Sequence, residues 1–227
     1  MVMLRRGAIA AAFFLASLVS GVARADEAPP AHRGFQLALR TGLSLPFGSV
    51  TGTTPMSDAF SAQVPLLLDL GWKPFRPFFI GVFVGTALGG AAGQVDTTCQ
   101  QLGVNCVGVA FRGGILAEWN FRPGERVNPW VGYGFGYELG RSSGSSGSNS
   151  ISNSVQGFEL AHLLAGVDFR LQEYFGIGPF VDGALGTYDI AQSETNQGGR
   201  VGRRGGDITD KAMHVWLTLG VRVVLLP

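Results

Sequence analysis

Residues 129–140 read PWVGYGFGYELG, with Gly132, Gly134 and Gly136 at every second position and Val131, Tyr133, Phe135 and Tyr137 between them. A strand points successive side chains to opposite faces. This stretch therefore predicts Trp130, the three glycines and Glu138 on one face, with Val131, Tyr133, Phe135, Tyr137 and Leu139 on the other. Glycine in a strand costs conformational entropy and packs nothing, so an emptied face needs a use. A phosphate-binding loop is not that use: G-x-G-x-x-G needs a strand before it, a helix after it and a third glycine at a spacing absent here.

The same period recurs along the chain. In 34–46, Phe35, Leu37, Leu39, Leu43 and Leu45 oppose Gln36, Arg40 and Ser44, and in 62–72, Val64, Leu66, Leu68, Leu70 and Trp72 oppose Gln63, Asp69 and Gly71. Stretches 78–89, 107–121, 158–171, 177–188 and 212–227 alternate likewise, which with the glycine-rich stretch predicts eight strands. Residues 78–92 are continuously apolar and contain Gly81-x-x-x-Gly85, a helix-pairing pattern. The run is shorter than a spanning helix and sits among alternating neighbours, so a strand is expected there too.

Charges are sorted by face. Arg40, Asp69, Arg112, Glu118, Glu138, Asp168, Arg170, Asp182 and Arg222 all fall opposite the apolar faces, and parity leaves Glu159 as the one charge on the greasy side. A charge facing lipid at mid-bilayer costs about 2–4 kcal/mol, so a membrane enforces this pattern. A soluble lipocalin-like barrel would place apolar residues inside and charges outside. The connections are sorted as well. Those at 73–77, 122–127 and 172–176 are tight, whereas 47–59, 90–106, 140–156 and 189–211 are long and polar, and GRSSGSSGSNSISNSVQ (140–156) is expected to be a flexible loop.

The chain opens MVMLRRGAIAAAFFLASLVSGVARA, with Arg5 and Arg6 before an apolar run and Ala23-Arg24-Ala25 after it. This is the pattern of a signal peptide spanning 1–25, followed by a tether at 26–33 and a barrel at 34–227. Removing Arg5, Arg6 and Arg24 takes the formal charge from +1 down three units to −2, and neither value points to nucleic acid. Cys99 and Cys106 are the only cysteines, and in an oxidising compartment they are expected to form a short-loop disulfide. The 35 glycines in 227 residues are roughly twice the ~7% average.

With exported start, dyad-repeat strands, sorted loops and C-terminal strand in place, the mature chain resembles the eight-stranded outer-membrane β-barrel proteins of the OmpA transmembrane-domain and OmpW type. The resemblance implies an all-β, antiparallel up-and-down transmembrane barrel in a Gram-negative outer membrane, with short periplasmic turns and long extracellular loops. It also implies a C-terminal assembly signal, matched by Thr218, Gly220, Val223 and Leu225 and lacking the usual terminal aromatic. The implied partners are outer-membrane lipids, lipopolysaccharide and, during insertion, the barrel-assembly machinery; the chain is expected to be a monomer. A narrow OmpW-like channel or carrier is the alternative function.

No zinc or hydrolase motif occurs, and neither a metal, a cofactor nor a catalytic residue is expected. A lipid-modifying barrel would use His162 or His214; lumen histidines are the plainer reading. Arg200, Arg203 and Arg204 could meet lipopolysaccharide phosphates, but Glu194, Asp207 and Asp210 balance them. Trp72 and Trp119 are expected in an interfacial aromatic girdle. The candidate site is an ion-paired plug of Arg40, Asp69, Arg112, Glu118, Asp168, Arg170, Asp182 and Arg222, most of it near one level, with the Gly132–Gly134–Gly136 ladder thinning the wall beside it. Eight strands enclose an interior that side chains can fill, so the expected role is a non-enzymatic, non-conducting scaffold.

Overall fold

A computed structural model describes residues 33–93, 96, 97, 100, 106–147 and 149–225. The expected signal peptide, most of the tether, Cys99 and the last two residues lie outside these. The alternating segments form strands β1 (Gly34–Thr51), β3 (Phe60–Phe75), β4 (Phe78–Ala91), β5 (Val107–Asn120), β6 (Val127–Ser146), β7 (Asn149–Gln172), β8 (Phe175–Gln197) and β10 (Met213–Leu225). Two short strands, β2 (Thr54–Pro55) and β9 (Arg200–Asp207), belong to the connections. Sequence neighbours pair antiparallel, and β10 pairs with both β8 and β1, which closes an eight-stranded up-and-down barrel. Closure leaves the spanning backbone no unpaired edge, as hydrocarbon requires. The apolar run at 78–89 is strand, paired on both sides.

The greasy faces form one outward band. Leu39, Leu43, Leu66, Leu70, Val82, Val84, Phe111, Ile115, Tyr133, Phe135, Leu163, Leu219 and Val221 are all exposed on it. At the tight-turn end it carries Phe35, Trp72, Phe75, Phe78, Trp119, Phe121 and Tyr174. Phe75, Phe78 and Trp119 form a chain of rings with centroids 6.5 and 6.4 Å apart.

Glu159 departs from the parity expectation. The β7–β8 ladder shifts register between Glu159 and Ala161, and β6–β7 shifts between Gly134 and Gly136. An extra residue in one strand resets which face follows. Glu159 and His162 are consequently both buried inside, while Phe158 and Leu160 face out.

Two of the long connections carry paired strands. The serine-rich segment continues the barrel as a hairpin, with Arg141–Ser154 and Ser145–Ser150 pairing across it. Residues 190–207 form a second hairpin between β8 and β9. Polar strands can pair beyond the bilayer because water satisfies their edges. Over the mouth at this loop end, a 3-10 turn (Met56–Asp58) follows the exposed β2 and buries Met56. Gly52 N donates to Asp210 O at 3.1 Å, which draws the first and last connections together, and Ile208 N donates to Asp189 O at 2.7 Å within the last one.

Candidate functional site in the barrel lumen

Every charged residue of the expected plug is buried. Their contacts across the lumen sort them by partner. They fall into two tiers, with Arg112 in a third.

At the turn end, Arg222 on β10 donates to Glu118 on β5 at 2.8 Å and approaches Asp168 on β7 at 3.8 Å. Its guanidinium lies 4.1 Å from the centre of the Trp130 ring, whose Nε1 donates to Asp168 at 3.1 Å. Gln36 Nε2 reaches Glu118 at 3.5 Å. Arg170 and Lys73 are buried at the same end. Lys73 was expected in a tight turn; β3 runs on through it, so the turn shrinks to Arg76–Pro77. Asn128 Nδ2 donates to Asn120 Oδ1 at 2.7 Å and closes this end.

In the middle tier Arg40 on β1 holds Asp69 on β3 through two donors, Nε and Nη2, each at 2.8 Å. Its Nη1 donates to Asp182 on β8 at 2.9 Å. Such a two-pronged guanidinium–carboxylate pair fixes geometry as well as charge. Asp182 Oδ2 also lies 2.6 Å from His162 Nε2, and the other ring nitrogen, Nδ1, contacts Glu159. A neutral imidazole has one N–H; only the imidazolium offers one to each carboxylate. The buried acids Asp69, Glu118, Glu138, Glu159, Asp168 and Asp182 outnumber the buried cations Arg40, Lys73, Arg112, Arg170 and Arg222 by one.

In the loop-end tier Glu138 collects donors. Tyr188 Oη donates at 2.6 Å and Trp216 Nε1 at 2.8 Å, with His214 Nε2 at 3.3 Å and Arg112 Nη2 at 3.7 Å. Tyr188 stacks on His214 with centroids 4.1 Å apart, and Arg112 lies 5.1 Å from the Trp216 ring centre. Glu138, Glu159 and His162 were not part of the expected plug. Parity placed Glu138 on the correct face, but no local pattern reveals which lumen groups meet across the barrel.

Apolar side chains separate and seal these tiers. Leu67, Phe79, Phe83, Leu116, Trp130, Leu164 and Phe180 form one buried cluster, and Val50, Met56, Phe60, Ala184, Tyr188, Ile208 and Trp216 form another under the loop-end mouth. Phe83 meets the His162 ring edge-on at 4.8 Å. It packs near Gly134, where a Cβ would come within 2.7 Å of the Ile115 carbonyl oxygen and 3.5 Å of both Phe83 and His162. Beside Arg112, a space lined by Ser44, Leu67 and Ala87 measures about 10 Å³, no more than one water requires.

Trp72 and Trp119 sit on the outward face at the turn end. Thr218, Gly220, Val223 and Leu225 lie along β10, with Thr218 donating to Ser44 in the lumen at 3.0 Å. Cys106 directly precedes β5, while its expected partner Cys99 falls outside the described residues. Arg203 pairs with Glu194 on the β8–β9 hairpin at 3.2 Å, and all of β9 is exposed.

No family model and no curated protein matches the chain. Solved structures do. A major outer membrane protein from Thermus thermophilus aligns with a TM-score of 0.54 at 12% identity, covering 84% of this chain and 98% of that one. The outer membrane protein OprG from Pseudomonas aeruginosa aligns at 0.45 and 11% identity, covering 86% and 98%. Ail, the attachment invasion locus protein of Yersinia pestis, aligns at 0.43 and 12%, covering 86% and 100%. The protein is thus similar in fold to a solved outer-membrane β-barrel, and its own fold is an eight-stranded transmembrane barrel.

Proposed function

We propose that the protein is a non-enzymatic outer-membrane barrel of a Gram-negative bacterium whose lumen is a solid, ion-paired plug, and that it serves as a rigid anchor for surface hairpins. The observation carrying this reading is the succession of charge tiers and apolar layers from Asn120–Asn128 at one end to Met56 and Ile208 at the other. A dry lumen strengthens each hydrogen-bonded pair and makes an unpartnered charge costly, so the stack favours rigidity over conduction. The exported start and the fold shared with the Thermus protein support outer-membrane placement. The turns then face the periplasm and the β6–β7 and β8–β9 hairpins stand outside, bearing Arg200, Arg203 and Arg204 within reach of lipopolysaccharide phosphates. His162 and His214 are buried in the lumen rather than at the lipid face, which argues against lipid modification.

Planar-bilayer recording of the refolded barrel tests the reading. Silence at moderate voltage is expected. Steady unitary openings would replace the plug with the narrow channel or carrier.

A further inference from the structure

The outward surface is not uniform. Near the turn end, Phe78, Trp119, Val131, Tyr133 and Leu163 rim an apolar groove of about 420 Å³ whose floor is Ala117 and Gly132. Its origin is in the sequence: cross-strand pairs set Ala117 between Ile80 and Tyr133, and Trp119 between Phe78 and Val131. One small side chain is thereby ringed by large ones. Gly132 adds no bulk to the floor, and Glu118, the partner of Arg222, and Leu164 complete the lining. Beyond the ring chain Phe75–Phe78–Trp119, the exposed turn residue Arg76 lies two positions from Phe78.

We propose that this groove seats one acyl chain of an anionic phospholipid of the periplasmic leaflet, with its phosphate against Arg76. The depth fits, because interfacial aromatics mark the headgroup level and the groove runs from them towards the bilayer centre. The charge fits as well: a guanidinium donates two parallel hydrogen bonds to a phosphate. The seated chain covers a thin part of the wall, where Ala117 and Gly132 leave little bulk. This inference goes beyond the plugged-anchor function; its leaflet rests on the outer-membrane orientation proposed above, while the groove and its lipid rest only on the barrel lying in a bilayer, which insertion itself reports.

The test uses the mature barrel folded into vesicles of phosphatidylethanolamine and phosphatidylglycerol, gently extracted and weighed by native mass spectrometry. Heat-modifiable migration confirms folding of each variant. The wild type should retain about one phospholipid, with phosphatidylglycerol favoured by about fivefold, the effect of one interfacial cation. Ala117→Phe should fill the groove and release the lipid, with Ala117→Leu as a smaller filler should the first fail to fold. Arg76→Gln should keep a lipid and lose the preference for phosphatidylglycerol. Retention by the folded groove-filling variant equal to wild type, or no lipid on the wild type, overturns the proposal. So does an unchanged preference in Arg76→Gln.

Discussion

Arg40 lies directly opposite Arg222 where β1 meets β10, yet the two guanidiniums diverge, Arg40 to Asp69 and Asp182 and Arg222 to Glu118. Two like charges at the closing seam are held apart by carboxylates from other strands. The seam is therefore secured by contacts across the lumen as well as by its backbone ladder.

Removing one of these cations strands its acids. Arg40→Leu should leave Asp69 and Asp182 buried without a guanidinium and cost roughly 3–5 kcal/mol. Heat-dependent gel mobility and the urea midpoint in detergent measure this, and an unchanged midpoint would remove the plug from the stability of the barrel.

Glu138 separates charge from hydrogen bonding. Glu138→Gln retains an acceptor for Tyr188 and Trp216 but loses the charge facing Arg112, whereas Glu138→Leu loses both. The leucine variant should be the less stable, by about 1–3 kcal/mol relative to glutamine, in the same urea titration. Equal midpoints would mean that the tyrosine and tryptophan bonds contribute nothing.

Met56 shields the loop-end tier. Peptide mapping after diethylpyrocarbonate treatment should find His214 unmodified in the folded wild type and modified in Met56→Asp, with His162 protected in both. Rapid wild-type labelling of His214 would show that the mouth opens.

The proposed Cys99–Cys106 bridge predicts no alkylation of the secreted, unreduced protein by iodoacetamide and two adducts after reduction. Alkylation without reduction would refute the bridge.

Period-two alternation made the barrel legible, since each strand had to keep charge off one face; Arg40, Asp69 and Asp182 could be placed inside on that ground alone. Glu159 could not. Nothing in FELAH announces the bulge that resets parity, because it depends on the neighbouring strands. Lys73 was misplaced for a related reason: its proline and its neighbours suggest a turn, while β3 pairing carries the strand past it. The serine-rich hairpin was read as a loose loop because low-complexity polar sequence has no local preference that competes with strand templating by a closed barrel. The partners of His162 and Glu138 depend on strand tilt, which a linear sequence does not state.

The cross-lumen pairs join positions far apart in the chain: Arg40 with Asp182 across 142 residues, Arg222 with Glu118 across 104 and Trp216 with Glu138 across 78. Glu118 is synthesised long before its guanidinium, which arrives only on the final strand. A product truncated before β10 would carry that carboxylate, and Glu138 without its Trp216 donor, into a half-built wall. Closing the seam with β10 is thus what brings Arg222 to Glu118 and Trp216 to Glu138, so the last strand completes both the wall and its filling.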